Sequence, residues 1–531
     1  MSDELMRMAE DSVRGSFFLV SGTTIATLVM AFGAILVGRL LGPELYGQYS
    51  LAFVIPQLFF LFTDLGVTQG VTKFTASFNL EGETNRLARI IKYALLLKVS
   101  VGIGLFMINY AFADILASLF LQRPDLAFYI RITSLSILFQ VIFATVTSAF
   151  VGLDKSEYNA LTTDIQAFAK AIISIVLVLL GFSIAGAIVG HVASYIIAAA
   201  SGALILLLML RKMPDLKEDC STLMGDLRDL VHYGTPLYVS VLLTGFIPFI
   251  QNLMLAIFTT DVDIGNYKAA VNFATLMTVL SVPITTALLP TFSKMESSAK
   301  QEVKAFFKLA NKYTTMVMIP VAVLIVIYST EIVQTIYGST YQSAPLFLAI
   351  YCLLYLLVGL GYLTLTSFYN GLGETKTSLK ISLITFLTLS ILSPMLTRTY
   401  SVQGLIMAFL LASLAGTAYA LVNAKRKFQI EFETHSLSKI YLISAISSIP
   451  SLMMLNFISL PKLLNLIVGG VVYLFIYATL TPLVKIVTCT ELQIALSILQ
   501  RIRPLGTIAG PILKYQQRIL CKNQHADHLS D

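Results

Sequence analysis

The sequence predicts an all-α, polytopic membrane protein, and three observations carry the prediction. Hydrophobic residues make up 56% of the 531 and charged residues only 12%, against roughly 25% charged in a soluble domain; the mean hydropathy is +0.81. Fourteen apolar runs reach the roughly twenty residues that a bilayer-spanning helix requires. The Lys and Arg residues between the runs alternate in density from one connection to the next, as the positive-inside rule expects of consecutive spans.

The runs lie at 17–39, 48–71, 90–113, 129–151, 163–182, 184–210, 231–258, 265–291, 312–336, 345–370, 377–397, 400–423, 438–458 and 462–487. Residues 1–16 mix acids and bases ahead of the first run, whose length fits a retained helix rather than a cleaved signal peptide. Of the 36 Lys and Arg residues, 29 fall on one side, with Lys170 counted among them. Six fall on the other: Arg39, Arg123, Arg131, Lys268, Arg398 and Lys462. Both termini are therefore expected in the cytoplasm, with the protein in the plasma membrane. The net charge of +7 reflects this orientation and is not a nucleic-acid signal. Cys220, Cys352, Cys489 and Cys521 have no CxxC spacing, and neither a disulfide framework nor a zinc site is expected.

The chain repeats itself. Gly47-Gln-Tyr49 pairs with Gly265-Asn-Tyr267, and Asp114-Ile-Leu-Ala-Ser-Leu-Phe120 with Glu331-Ile-Val-Gln-Thr-Ile-Tyr337. Ser148-Ala-Phe-Val-Gly152 pairs with Ser367-Phe-Tyr-Asn-Gly371, and Ser183-Ile-Ala-Gly186 with Ser401-Val-Gln-Gly404. All four lie about 218 residues apart and at matching places in the helix count. The repeat unit is six helices, an even number, so both copies enter the membrane from the same side with a cavity expected between them. The expected division is a cytoplasmic segment 1–16, an N-lobe 17–210, a linker 211–230, a C-lobe 231–423, helices 13 and 14 in 438–487, and a tail 488–531 expected to form an amphipathic cytoplasmic helix. The Gly-Pro corner at 39–49 is read as a tight turn between the first two helices.

The residues Arg39-Leu-Leu-Gly42-Pro-Glu-Leu-Tyr46-Gly47-Gln-Tyr49, Thr63-Asp64-Leu-Gly66-Val-Thr68, Gly265-Asn-Tyr267, Ile-Tyr-Gly338 with Tyr341-Gln-Ser-Ala344, and Gly371-Leu-Gly-Glu-Thr-Lys376 carry a family likeness. The chain resembles the polysaccharide and oligosaccharide flippases of the multidrug/oligosaccharidyl-lipid/polysaccharide (MOP) exporter superfamily. The resemblance implies two six-helix lobes plus two helices. It also implies movement of a lipid-linked glycan from the cytoplasmic to the outer leaflet by alternating access. The implied partners are that glycan, membrane lipids and glycan-assembly proteins; no nucleic acid is implied.

Charges in hydrocarbon cost at least about 2.5–3.5 kcal/mol each on the insertion scale, so each requires a reason. Gln57, Asp64, Thr68, Thr72 and Thr75 share one face of helix 2 at spacings of 7, 4, 4 and 3. At the repeat offset helix 8 carries Thr275, Val282, Thr286, Pro290 and Ser293. Both helices are candidates for facing a cavity; the alternative is that the threonines bond their own backbone. Lys98 lies six residues inside Lys92, about 9 Å, and Asp64 nine residues from Lys73, about 13 Å, at 1.5 Å per residue. Their depths match closely enough to pair, as a gate, as a proton or cation relay, or as a snorkelling lysine beside a structural aspartate.

Thr163, Gln166, Lys170 and Ser174 share a face of helix 5, where Lys170 is either a diphosphate ligand or a lysine reaching the inner interface. Ser240, Thr244, Pro248 and Gln251 share a face of helix 7. Arg39, Arg131 and Lys268 sit at outer helix ends, as candidates for an outer mouth or as interface anchors. His191 reads as a packing residue.

No cofactor or metal is expected. Gly371-Leu-Gly-Glu-Thr-Lys376 lacks the Gly-Lys of a phosphate loop, and Cys521, His525 and His528 read as a solvated tail rather than a zinc site. Driving energy would then come from H+, Na+, the membrane potential or downstream consumption of substrate. The leading reading is a flippase for lipid-linked oligosaccharide on a polyprenyl or dolichyl phosphate or diphosphate, a transporter and not an enzyme. A cation-coupled multidrug antiporter of the same fold requires acidic cavity groups. A membrane-embedded glycan polymerase requires a sizeable outer domain, and the longest outer connection spans only about fifteen residues around Arg123.

Overall fold

The computed structural model describes residues 3–211, 223–295, 300–457, 461–489, 491–493, 496 and 510–520, and every regular element among them is helical. Most of the 211–230 linker, most of the tail with Cys521, His525 and His528, and the side chain of Arg14 lie outside the described residues. The helices are α1 (Asp3–Ala52), α2 (Val54–Phe62), α3 (Val67–Leu80), α4 (Thr84–Ala111), α5 (Ala113–Leu119), α6 (Ala127–Gly152), α7 (Ser156–Leu177), α8 (Ser183–Leu210), α9 (Leu223–Phe258) and α10 (Asp261–Ser293). There follow α11 (Lys300–Ile327), α12 (Ser329–Ile336), α13 (Ala344–Cys352), α14 (Thr364–Gly371), α15 (Thr375–Phe428), α16 (Thr434–Phe457) and α17 (Lys462–Leu483). Within the tail, residues 510–520 are helical.

Ten helical stretches among the described residues are long and apolar enough to cross a membrane, and the bent pair Ala344–Leu360 and Thr364–Gly371 brings the number to eleven. The count is lower than the fourteen runs because neighbouring runs join. α7 and α8 read as one 55-residue stretch, and α15 contains 54 residues. Each is interrupted only by one or two non-helical residues: Gly181 and Ser183 in the first, Tyr400 and Ser401 in the second. The connections are so short that helical hydrogen bonding resumes at once. α1 likewise runs through the Gly-Pro corner, broken only at Gly42 with Pro43 opening the next turn. The corner is therefore a single-residue break, and Gly47 and Tyr49 lie on a helix rather than in a turn.

Contacts divide the chain into two units. The first is Met1–Val279 with Tyr337–Phe347 and Ser382–Ala412. Its core includes Val67, Val71, Leu87, Ile90, Phe150 and Leu230, none more than 2% exposed. α7 and α8 form an antiparallel hairpin in this unit: Gln166 Nε2 donates to Ser194 Oγ at 3.1 Å and Ser174 Oγ to the Ala187 carbonyl at 3.2 Å. The second unit is Leu280–Ile336 with Leu348–Ile381 and Ser413–Asp531. Its core is aromatic, with Phe368 edge-on to Phe292, Phe307 and Phe428 at 5.1–5.4 Å. Large apolar side chains such as Phe457, Leu119 and Leu180 are exposed, as lipid-facing residues are.

The local geometry repeats at the sequence offset. Ser183 (φ 50°, ψ −132°) and Ser401 (φ 54°, ψ −139°) break their helices in the same conformation. The short helices α5 and α12 each follow a 28-residue helix, α4 and α11. The two Gly-x-Tyr glycines cross in the first unit. A Cβ at Gly47 would strike the Asp261 carbonyl, and one at Gly265 would strike the Pro43 carbonyl. Position 43 stands to 261 as 47 stands to 265, so the two contacts are reciprocal.

Candidate functional site

The second apolar run is interrupted where its charge lies. α2 ends at Phe62, Thr63–Gly66 leave the helix, and α3 begins at Val67. Gly66 sits at φ 83°, in the left-handed region that a side chain resists, and its backbone packs against Gly234 so closely that a Cβ on either would collide. The Asp64 carboxylate lies at the start of α3, where helix N–H groups lack partners. Its Oδ1 accepts from the Thr68 N–H at 3.2 Å and from the Thr68 hydroxyl. Lys98 Nζ, on α4, donates to the same oxygen at 2.9 Å and to Thr68 Oγ1 at 2.8 Å. Lys98 is 1% exposed and the Asp64 side chain 16%. The structure thus brings together the two charges whose depths matched in the sequence, and each has its counter-charge.

One turn before that break, a cavity of about 240 Å³ opens inside the first unit. α1 supplies Tyr46, Tyr49 and Ser50, the joint to α2 supplies Phe53, and α2 supplies Gln57; α7 supplies Lys170 and Ser174; α8 supplies His191; α9 and α10 supply Asn252, Lys268 and Asn272. Lys268 Nζ donates to Asn252 Oδ1 at 2.6 Å. Asn272 Nδ2 donates to the hydroxyls of Tyr46 at 2.6 Å and Tyr337 at 3.2 Å. The Tyr49 hydroxyl and His191 Nδ1 are 3.3 Å apart. Lys170 makes no hydrogen bond or ion pair among the described residues. The lining holds two lysines and a histidine and no carboxylate.

The placement of Lys170 differs from its inner-side count. α7 begins at Ser156, well before the expected 163, so Lys170 stands four turns inside the helix instead of near its end. Lys268 lines the same cavity, seven residues into α10, instead of anchoring an outer helix end. Thr68 and Thr72 line a second cavity, of about 410 Å³, on the other side of the break. Gln251 is buried beside Asn252, and its Nε2 has no hydrogen-bond partner among the described residues. Thr275 bonds its own helix, at the Val271 carbonyl, and lines neither cavity. Arg131 pairs with Asp114 at the surface and Arg39 is exposed; neither lines either of these two cavities.

Sequence reasoning missed His191, Tyr46, Tyr49, Asn252 and Asn272 as cavity residues. His191 lies on a helix of small residues, and only the packing of α8 beside α1 brings it to Tyr49. The Tyr49 signal was present, in the repeated Gly-x-Tyr, but its glycine was read as a turn residue. Among the described residues no group of three or more His, Cys, Asp and Glu could hold a metal ion.

The family model described as polysaccharide biosynthesis protein matches residues 12–296. No curated protein matches the chain. Among solved structures, the lipid II flippase MurJ in an inward closed conformation superposes with a TM-score of 0.71 at 19% identity, over 88% of this chain and 99% of that one. An inward-facing multidrug resistance MATE family transporter of the MOP superfamily superposes at 0.61 and 15% identity, over 76% and 94%. A MOP superfamily transporter from Pyrococcus furiosus, described as having a binding pocket of reverse polarity, superposes at 0.56 and 16% identity, over 81% and 96%. At these identities the likeness is one of fold.

Proposed function

The chain belongs to the polysaccharide biosynthesis protein family, and from that premise we propose that it is a flippase for a lipid-linked oligosaccharide. The observation that carries the proposal is the cavity bearing Lys170, Lys268 and His191 with no acidic side chain in its lining. A phosphate or diphosphate headgroup is the anion such a cavity suits, because a lysine in a low-dielectric site seeks a counter-charge. Asn252, Asn272, Tyr49 and Gln57 offer hydrogen bonds around it. The neighbour described as a lipid II flippase supports a lipid-linked substrate. A drug-cation antiporter would require a carboxylate in this lining, and the ion-paired carboxylates Asp64 and Asp261, outside it, are engaged by Lys98 and Arg123.

In this reading each of the long stretches containing α7–α8 and α15 is a pair of spans, since at 1.5 Å per residue either would be more than twice the roughly 30 Å hydrocarbon thickness. With α1–α3 read as two spans, the total is fourteen, arranged as two six-helix lobes and two further helices in the plasma membrane, with cytoplasmic termini. The reciprocal crossing of Gly47 and Gly265, with Arg123 Nη1 3.0 Å from Asp261 Oδ1 and Gln48 Nε2 donating to Asp261 Oδ2 at 3.1 Å, is the outer closure. It opens when the headgroup is released to the outer leaflet. An H+ or Na+ gradient, the membrane potential or removal of product drives the cycle, and glycan-assembly proteins supply and remove the substrate. Leaflet-resolved accessibility of lipid-linked oligosaccharide in vesicles with and without the protein tests this. The expected result is a rise in outer-leaflet glycan; no rise with any of several carriers, together with export of cationic drugs, contradicts it.

A further inference from the structure

The second cavity differs in chemistry from the first. No charged side chain lines it. Its polar groups are neutral amides and hydroxyls, Gln140, Asn159, Thr68 and Thr72, and its walls include the rings of Phe143 and Tyr195, edge to face at 5.7 Å. Gln140 is 7% exposed as a residue; its amide makes no hydrogen bond among the described residues and is not among their buried unpartnered groups, so it is open to the cavity that it lines. An amide that lines a cavity and has no protein partner is available to a polar ligand. The Tyr195 hydroxyl is also without a hydrogen-bond partner among the described residues.

The two cavities adjoin along two helices. Gln57 lines the first and Phe60, on the next turn of α2, lines the second. His191 lines the first and Tyr195, one turn on along α8, lines the second, with ring centroids 5.5 Å apart. A ligand with an anionic end and a neutral polyhydroxyl end matches the pair. Its C–H faces would lie on the aromatic walls, and its hydroxyls would meet the amides.

We infer that the cavity around Gln140 is a subsite for an uncharged sugar, a neutral hexose or N-acetylhexosamine next to the phosphates, and that it selects against a uronic acid at that position. The inference rests on the flippase reading and deepens it. A sugar carboxylate placed there loses its hydration and gains no cation, because Lys98 is already held by Asp64 and Thr68.

The test uses the full chain in nanodiscs and three probes: bare polyprenyl diphosphate, the same lipid bearing one N-acetylhexosamine, and the same lipid bearing one hexuronic acid. The neutral-sugar lipid is expected to bind at least about tenfold more tightly than the bare lipid, as a few added hydrogen bonds allow; the uronic-acid lipid gains nothing. Gln140→Leu removes that gain while bare-lipid binding persists, and Tyr195→Phe reduces it in the same direction. Persistent bare-lipid binding also shows that the variants are folded. Equal binding of neutral-sugar and bare lipid, equal gain by the uronic-acid lipid, or an undiminished gain in Gln140→Leu overturns the inference. Failure of the bare lipid to bind counts against the flippase reading; the sugar subsite then stands only if the neutral-sugar lipid binds through Gln140, and otherwise falls with it.

Discussion

Lys98 shows how a single residue in the membrane is read. Its depth follows from helix rise, and so does that of Asp64, so the pair is legible in the sequence alone. The break that places Asp64 at the start of α3 is not, because a Leu-Gly within an apolar run carries no periodic signal. Removing one member leaves a buried unpaired charge, which costs about 3–5 kcal/mol. Lys98→Met is therefore expected to lower thermal stability in detergent sharply, with the charge swap Asp64→Lys, Lys98→Asp recovering part of the loss; a swap no better than either single change counts against the pair. At the tail, Lys312 Nζ donates to Glu491 Oε1 at 3.1 Å. Burial pushes the Glu491 carboxyl up, but the Thr488 N–H and Lys312 outweigh it and hold it below its ordinary value of 4.5. A carboxyl depressed in the folded state stabilises above its unfolded value and loses that contribution as pH falls through the folded one. Wild-type stability is expected to fall in acid below 4.5 more steeply than that of Glu491→Gln, as melting curves against pH would show.

At the scale of elements, the repeat was legible and its geometry was partly so. The four sequence echoes predicted corresponding joints, and Ser183 and Ser401 share a conformation to within a few degrees. The Gly-x-Tyr echo was read as a turn, whereas its glycines serve a helix crossing, since a glycine at a corner and one at a close approach look alike in sequence. The copies also diverge: α2 and α3 are broken around Asp64, whereas α10 is continuous with Val282 at the equivalent place and carries Pro283 and Pro290. Charge and break thus occur together in one copy only. Gly47→Ala and Gly265→Ala, which drive a Cβ into a carbonyl, are expected to reduce folded yield and transport. Gly104→Ala on α4, with nothing within 4 Å, is expected to be neutral or to stabilise by roughly 0.4–1 kcal/mol. Equal behaviour of the three variants in size-exclusion and melting assays would contradict the crossing's role.

For the whole molecule, composition and loop charge sufficed for a membrane protein. The position of the basic cavity did not follow, because Lys170 and Lys268 lie 98 residues apart and each, read on its own helix, was a candidate for a separate place, Lys170 for the headgroup or the inner interface and Lys268 for the outer mouth or an interface anchor. If the crossing at Gly47 and Gly265 opens in each cycle, cysteines at Gln48 and Asp261 joined through disulfides by a short bis-methanethiosulfonate should stop transport, and reduction of those disulfides should restore it. The central claim is that the cavity's cations carry an anionic headgroup between leaflets. Its most direct measurement is the rate at which polyprenyl diphosphate oligosaccharide becomes accessible in the opposite leaflet of proteoliposomes, for the wild type and for Lys170→Gln and Lys268→Gln. Loss of one charge-assisted hydrogen bond, about 1.5–3 kcal/mol, predicts apparent binding about 10- to 100-fold weaker for each variant, and slower transfer at subsaturating lipid. Wild-type rates in both variants, or no transfer by the wild type, would contradict the account.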